Sequence, residues 1–214
     1  MSRSAIILAG GHSNRFGQDK GLLQLAGKPL VRHVIEAVDD IVDEKIVVVS
    51  CKEQVDKYIK ATGSSSSIAV DKANVRSPLA GAFTGFRETH AEYSLVLACD
   101  TPFVVRDILT LLLELCSGRN ACVPRWPNGY VEPLQAVYRK GPAQQASEIA
   151  LCAGKLKVQS MLDKLQCVRY VSTLVLKQLD PELKTFFNIN TPLDLKAAEQ
   201  ILRRSSSRPF AIHR

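Results

Sequence analysis

The chain has 214 residues, of which 46% are hydrophobic and 23% are charged, and its formal net charge is +7. This is the composition of an ordinary globular protein, and its apolar runs are too short for a membrane span or a signal-peptide core. The basic charge suits a polyanionic small ligand better than nucleic acid, because no nucleic-acid-binding module is visible and the basic residues are not interleaved with aromatic ones.

The length of the chain and its cysteine content limit its domain organisation and its cellular location. At this length we expect a single domain over residues 1–204, followed by a flexible basic tail over residues 205–214. The six cysteines include no C-x-x-C pair and, with the four histidines, give no zinc spacing. Several cysteines lie in apolar runs, where a reduced cysteine acts as a small hydrophobe. We therefore expect a cytoplasmic protein.

In the first half of the chain, apolar runs of strand length alternate with amphipathic runs of helix length. The predicted strands are Ser4–Ala9, Lys45–Ser50, Ile68–Val70 and Tyr93–Cys99. The predicted helices, of which the first has Pro29 in its first position, are 29–38, Glu53–Lys60, Leu79–Thr89 and Val105–Cys116. Continuous apolar strands that alternate with helices are typical of a parallel sheet covered on both faces. We therefore predict an α/β fold with a doubly wound, Rossmann-like, mainly parallel sheet.

The pattern is weaker beyond Ala121–Pro124. An antiparallel strand is predicted over Leu134–Arg139, and helices are predicted over Gly141–Cys152, Val158–Leu165 and Pro192–Arg203. In a doubly wound sheet the ligand lies beyond the carboxyl ends of the strands. The residues that directly follow each predicted strand are therefore the candidates for a functional site.

The first predicted strand is followed by a glycine-rich loop that reads LAGGHSNRFGQDK from Leu8 to Lys20. Its glycines let backbone N–H groups approach an anion closely, while Arg15 and Lys20 add positive charge and Ser13 adds a hydroxyl donor. The spacing is neither the G-x-x-x-x-G-K-[ST] of a P-loop nor the G-x-G-x-x-G of a dinucleotide site. The loop therefore predicts a phosphate-binding site of another kind.

The loop resembles the L-A-G-G-x-S-x-R-[MF]-G-x-D-K signature of the molybdenum cofactor guanylyltransferases, and every fixed position matches. Two later segments, Glu132–Tyr138 and Phe187–Leu195, resemble the E-P-L-x-A-V-Y and F-x-N-[IV]-N-T-P-x-D-L segments of that family. The loop signature also covers sugar-1-phosphate nucleotidyltransferases. It therefore fixes the reaction class more firmly than the acceptor.

The resemblance runs from Ala5 to about Leu202 and implies a nucleotide-diphospho-sugar-transferase-like fold. It implies an enzyme that transfers GMP from GTP to molybdopterin, or to its molybdenum-loaded form, with release of pyrophosphate. The product is molybdopterin guanine dinucleotide, and Mg²⁺ is the implied cofactor. Transient contacts with proteins that deliver molybdopterin and with molybdoenzymes follow from such a role, whereas neither nucleic acid nor a membrane is an expected partner.

The resemblance also assigns individual residues. Arg15, Lys20 and Asp100 receive the catalytic roles, because they would clamp the phosphates and hold the metal ion. The implied nucleotide-binding residues are Leu8, Ala9, Gly10, Gly11, Ser13, Lys20, Ser50, Asp71 and Asp100. The implied acceptor-binding residues are Glu132, Asn188 and Asn190, with Arg139 and Lys155 as basic residues nearby.

Two of these residues are candidate metal ligands. Asp100 follows the fourth predicted strand in a Cys-Asp-Thr-Pro segment that resembles the C-D-[TMQ]-P of the family. A carboxylate at the carboxyl end of a buried strand can hold Mg²⁺ against a triphosphate. Asn190 is the second candidate ligand. The alternative for both residues is a role as a helix N-cap.

The resemblance assigns contact with the base to Leu8, Ala9 and Asp71, and a carboxylate can accept hydrogen bonds from the N1 and N2 edge of guanine; the alternative for Asp71 is a solvated loop charge. The family usually has an asparagine after the second strand, where this chain has Ser50, Cys51 and Lys52. Three other functions therefore stay open: a molybdopterin cytidylyltransferase, a guanylyltransferase for a cobamide or sugar phosphate, and a non-catalytic nucleotide-binding module.

Overall fold

The computed structural model of the chain describes residues 1–10, 12–13, 16–72 and 76–206, and side chains at all of these except 12–13 and 205–206. Gly11, Arg15 and residues 207–214 of the predicted tail lie outside these ranges. The strands of the main sheet are β1 (Arg3–Leu8), β2 (Glu44–Val49), β3 (Ser67–Val70), β4 (Tyr93–Ala98), β5 (Ala121–Arg125), β6 (Gln135–Arg139) and β7 (Val168–Ser172).

The sheet is mainly parallel, which confirms the predicted fold class. Its strand order is β7-β5-β6-β4-β1-β2-β3. The central strand β1 is parallel to β2 and to β4, and β3 is parallel to β2. The strand β6 is antiparallel to β4 and β5, and β7 is parallel to β5. The carboxyl ends of β1, β2, β3 and β4 therefore meet at one edge of the sheet.

Helices and short hairpins connect the strands. The α-helices are α1 (Leu30–Val38), α2 (Val55–Thr62), α3 (Pro78–Glu88), α4 (Arg106–Leu115), α5 (Lys140–Cys152), α6 (Val158–Leu162), α7 (Thr173–Leu176) and α8 (Pro192–Ser206). The 3₁₀ helices are Lys20–Leu22, Lys52–Gln54, Gly63–Ser65 and Lys184–Phe186. Two antiparallel hairpins pair His12–Ser13 with Gln18–Asp19 and Gln24–Leu25 with Lys28–Pro29.

Successive residues of β1 pack on opposite faces of the sheet, as expected for a central strand. Ala5 and Ile7 belong to a core that includes residues of α1 and α4, and Ile6 belongs to a second core with residues of α3 and α5. The helix α3 lies close to the sheet because Gly85 has no side chain: a β-carbon there would be 2.2 Å from Ile6 Cγ2. This close packing places the start of α3 over the carboxyl edge.

The structure corrects several predicted boundaries. Pro29 does not open α1: it is an extended residue that pairs with Gln24, and the helix begins at Leu30. The helix after β2 begins with a 3₁₀ turn and becomes α-helical only at Val55. The predicted helix 158–165 ends at Leu162.

The second half of the sheet contains elements that were not predicted. The strands β5 and β7 and the short helix α7 were all missed, because none of them shows a clear hydrophobic period in the sequence. The helix α8 continues through Ser206, past its predicted end at Arg203, so the first residues of the predicted tail are helical. The single-domain boundary at residue 204 stays a prediction.

Candidate active site

The carboxyl ends of the parallel strands border one cavity. Residues that were assigned to nucleotide binding line it together, namely Leu8, Ala9, Gly10, Lys20, Ser50, Asp71 and Asp100. The segment that leads into α3 forms the opposite wall with Arg76, Ser77 and Pro78. The assignments of Gly11 and Arg15 fall outside the described residues, as does the side chain of Ser13.

Lys20 lies between two side-chain oxygens at this cavity. Its Nζ donates hydrogen bonds to Asp100 Oδ2 and to Asn190 Oδ1, each over 2.6 Å. The Lys20 and Asp100 side chains are only 18% and 15% exposed, so the ion pair is partly shielded from water. Charge-assisted hydrogen bonds of this length are strong. The structure thus brings together the predicted catalytic lysine and both predicted metal ligands.

The backbone around Asp100 and Asn190 explains why their side chains meet at Lys20. The N–H of Ile189 donates to the carbonyl of Asp100 over 3.0 Å, which ties the two segments together. Asp194 accepts from the N–H groups of Asn190 and Thr191, while its own N–H donates to Thr191 Oγ1. This is a capping box, so Thr191 caps α8 and the Asn190 side chain is not needed for capping.

The hydrogen bonds around Asp194 have an electrostatic consequence. Those from the backbone of Asn190 and from Thr191 lower the pKa of the half-buried Asp194 carboxyl.

The start of α4 removes the N-cap alternative for Asp100. This helix begins at Arg106 and has Val105 at its N-cap, so Asp100 lies too far before it to cap it.

Asp71 directly follows β3 and is half-buried. Its Oδ1 accepts a hydrogen bond from Thr84 Oγ1 on α3 over 3.2 Å, and its N–H donates to the carbonyl of Val49 over 2.8 Å. Asp71 also lines the cavity. It is therefore held between β2 and α3, so the alternative of a freely solvated loop charge is wrong.

A buried network behind the loop was missed by the sequence analysis. Tyr58 Oη donates to Asp19 Oδ1 over 2.6 Å, and Gln54 Nε2 donates to Asp19 Oδ2. Burial raises the pKa of Tyr58 well above its usual value, so its hydroxyl stays a donor. The 3₁₀ helix Lys20–Leu22, which follows the loop, also needs glycine beside this ring, because a β-carbon at Gly21 would lie 2.4 Å from Tyr58 Oη. No local pattern in the sequence links these residues, because Gln54 and Tyr58 are 35 and 39 positions away from Asp19.

The residues assigned to the acceptor are less close together. Glu132 Oε1 accepts a hydrogen bond from Trp126 Nε1 over 2.7 Å, and burial raises the pKa of the Glu132 carboxyl. Asn188 is exposed. Arg139 forms an ion pair with Glu92 over 3.1 Å beside the first residue of β4. It therefore lies at the opposite edge of the sheet, and the expectation that it serves the acceptor is wrong.

A second cavity of about 720 Å³ adjoins the first and shares Pro78 and Leu134 with it. The charged and aromatic side chains around it are Arg125, Tyr130, Lys157 and Tyr170. The Arg125 guanidinium lies 5.1 Å from the centre of the Tyr170 ring, within the range of a cation–π contact. This acceptor-side cavity has two cations and two exposed tyrosines, a surface suited to an anionic ring compound.

Comparison with known proteins decides the family. Residues 5–168 match the family model described as the MobA-like NTP transferase domain. The chain belongs to this family. The MobA-like domain therefore confirms the resemblance found in the glycine-rich loop and the reaction class of a nucleotidyltransferase.

Relatives of this MobA-like protein extend the match over nearly the whole chain. A probable molybdenum cofactor guanylyltransferase of Methanosarcina mazei is 37% identical over 199 residues, which cover 91% of this chain and 88% of the relative. The crystal structure of molybdopterin-guanine dinucleotide biosynthesis protein A from Archaeoglobus fulgidus is 31% identical, covers 94% and 99% of the two chains, and has a TM-score of 0.80. A 2-C-methyl-D-erythritol 4-phosphate cytidylyltransferase of Thermus thermophilus is 20% identical, covers 95% and 100% and has a TM-score of 0.71, which is a likeness of fold.

The oxygen ligands around Lys20 fit a magnesium ion. Among the described residues of the MobA-like domain, no three His, Cys, Asp or Glu side chains form a metal cluster. Asp100 and Asn190 nevertheless present two oxygens to one cationic group, and Mg²⁺ is commonly held by one or two protein oxygens plus substrate phosphates.

Among the residues that the structure describes, no helix is long and apolar enough to cross a membrane.

Proposed function

We propose that this chain transfers GMP from GTP to molybdopterin, forming molybdopterin guanine dinucleotide and pyrophosphate. The observation that carries the proposal is the hydrogen bonding of Lys20 to both Asp100 and Asn190 beside one cavity. Lys20, Asp100, Ser50 and Asp71 line that cavity together. Family membership and relatives that are called molybdenum cofactor guanylyltransferases support it.

In the proposed reaction an oxygen of the acceptor's terminal phosphate forms a bond to the α-phosphorus of GTP, and the bond between that phosphorus and the β-phosphate oxygen breaks. Pyrophosphate leaves with the electron pair of the broken bond. The acceptor oxygen is already anionic, so no general base is required. Catalysis then consists of positioning and charge neutralisation.

Each residue has one task in this scheme. Lys20 and Arg15 bind the phosphates, and the backbone of Gly10 seats them beside β1. Asp100 and Asn190 would hold Mg²⁺, which would neutralise charge on the phosphates. In the structure the ammonium group of Lys20 lies between these two oxygens. For the oxygens to bind Mg²⁺, the ammonium group must move away from them and turn toward the phosphates.

We propose the acceptor-side cavity as the place where molybdopterin binds. Its position beside the nucleotide cavity, its volume of about 720 Å³ and its cations Arg125 and Lys157 support this. Glu132 and Asn188 keep their proposed acceptor roles at the rim. We also propose a cytoplasmic location and transient contacts with proteins that supply molybdopterin or receive the product.

A pyrophosphate-release assay with GTP, ATP, CTP and UTP tests the function, with molybdopterin and molybdenum-loaded molybdopterin as acceptors. We expect release with GTP, dependent on Mg²⁺ and on one of the two acceptors. A preference for CTP would show a cytidylyltransferase. Binding of GTP without release with any acceptor, sugar phosphates and cobamides included, would show a nucleotide-binding module and refute the proposal.

The acceptor assignment makes its own prediction. Lys157→Met removes one cation of the acceptor-side cavity, so KM for molybdopterin should rise by about tenfold to a hundredfold, the worth of one charge-assisted hydrogen bond. KM for GTP should not change. Lys164→Met is the matched control, because Lys164 is exposed, has no assigned role and is not among the described residues that line this cavity. Equal effects of the two variants would refute the assignment.

A further inference from the structure

The turn after β2 determines what Ser50 can offer to a bound base. This inference rests on the proposed guanine nucleotide and deepens it. We propose that Ser50 determines base specificity by accepting a hydrogen bond from the 2-amino group of guanine. Gln54 is the positioning residue that fixes the direction of the Ser50 hydroxyl.

The side-chain amide of Gln54 has only one possible orientation. Its Oε1 lies 2.8 Å from the backbone nitrogen of Ser50 and 3.2 Å from that of Cys51, and both of these groups can only donate. Its Nε2 faces Asp19 Oδ2, and a carboxylate oxygen accepts. Gln54 is 4% exposed, so water does not compete for these contacts.

The orientation of the amide fixes the hydroxyl in turn. Ser50 Oγ lies 2.9 Å from Gln54 Oε1. Since both atoms are oxygens and the amide oxygen has no hydrogen, Ser50 must donate its only hydroxyl hydrogen to Gln54. The lone pairs of Ser50 Oγ remain, so Ser50 presents an acceptor to the nucleotide cavity that it lines. An asparagine at this place would offer both a donor and an acceptor.

Ser50 and Asp71 form a pair of neighbouring acceptors. The last paired residues of β2 and β3 are Val49 and Val70. Ser50 and Asp71 directly follow them, so they lie side by side at the ends of adjacent strands. Adjacent strands are about 4.8 Å apart. On its Watson–Crick edge guanine carries two adjacent donors, N1–H and the 2-amino group, whereas adenine and cytosine carry one donor beside an acceptor. Asp71 then receives N1–H and Ser50 receives the 2-amino group.

Binding of GTP and ITP without any acceptor tests this, because ITP lacks only the 2-amino group. With wild-type protein and Mg²⁺ we expect GTP to bind more tightly than ITP in calorimetry. Ser50→Ala should weaken GTP binding by about threefold to tenfold, the worth of one neutral hydrogen bond, and leave ITP binding unchanged. The substitution is small, and a melting temperature equal to that of the wild-type protein will verify that the variant is folded.

The role of Gln54 requires a second pair of variants. Gln54→Leu releases the hydroxyl hydrogen of Ser50, so the ratio of GTP to ITP affinity should fall although Ser50 is still present. Because Gln54 also contacts Asp19, Tyr58→Phe is the control: it removes another hydrogen bond to Asp19 and keeps the contact between Gln54 and Ser50. The ratio of GTP to ITP affinity of the Tyr58→Phe variant should stay at the wild-type value.

The outcomes separate this inference from the proposed function. The inference would be overturned if Ser50→Ala weakened the binding of GTP and ITP equally, or left the ratio of their affinities unchanged. It would also be overturned if Tyr58→Phe lowered this ratio as much as Gln54→Leu does. No acceptor is present in the binding assay. Discrimination that depends on Ser50 therefore supports the inference even if molybdopterin proves to be the wrong acceptor.

Discussion

Asp100→Asn should lower kcat by about 10²-fold or more, the scale of removing one preorganised electrostatic contact to a transition state. The amide has nearly the size of the carboxylate, and its oxygen can still accept the hydrogen bond from Lys20. It lacks the negative charge that holds Mg²⁺ against the triphosphate. The Mg²⁺ concentration for half-maximal rate should therefore rise in pyrophosphate-release kinetics.

The controls for Asp100 separate catalysis from stability. Asp107→Asn changes an exposed carboxylate in the first turn of α4 and should leave the rate unchanged. Asp100→Asn leaves the partly buried ammonium of Lys20 with two neutral oxygens, which costs some stability. The melting temperature must therefore be measured beside the rate. A folded Asp100→Asn variant with near-normal kcat at low Mg²⁺ would exclude Asp100 as the metal ligand.

The fold could be predicted because its central part follows a simple physical rule. Strands that are buried on both faces, such as β1 and β4, must be continuously apolar, and their helices must be amphipathic. The strand β7 does not follow this rule: it lies at the edge of the sheet, is mostly half-exposed, and contains Arg169 and Tyr170. No periodicity marked it, so the sheet was predicted with too few strands.

The nucleotide site could be predicted to the extent that it lies at strand ends. Ser50, Asp71 and Asp100 each follow a parallel strand, and the topology of a doubly wound sheet brings such residues to one edge. Arg139 was assigned wrongly although its strand had been predicted to be antiparallel. The last residue of an antiparallel strand lies at the other edge of the sheet, beside the first residue of β4, and the assignment did not take this into account.

The contacts that depend on side chains distant in sequence could not be predicted. Asp19 meets Gln54 and Tyr58 across more than thirty residues, and the sequence shows three ordinary polar side chains there. The acceptor-side cavity likewise combines side chains from β5, β7 and the start of α6. Such sites come from packing, which local patterns do not encode.

Lys20→Met should lower kcat/KM for GTP by about 10²-fold, and both parameters should contribute. Its ammonium is a compact point charge that suits phosphate oxygens. We expect its contact to exist already in the GTP complex, so its loss raises KM, and charge that develops on the departing pyrophosphate adds a loss in kcat. Steady-state kinetics with varied GTP at saturating acceptor give both values.

Two further variants show whether charge at this place is sufficient. Lys28→Met is the matched control, because Lys28 forms an exposed ion pair with Glu36 whose side chains are 40% and 43% exposed. It should have nearly normal kinetics, since exposed pairs contribute little. Lys20→Arg keeps the charge, but the planar guanidinium does not match the space between Asp100 and Asn190 in which the ammonium donates two hydrogen bonds of 2.6 Å. Partial activity is therefore expected, mainly through a lower KM than that of Lys20→Met. If Lys20→Met changes only KM, Lys20 binds GTP without taking part in the transfer step.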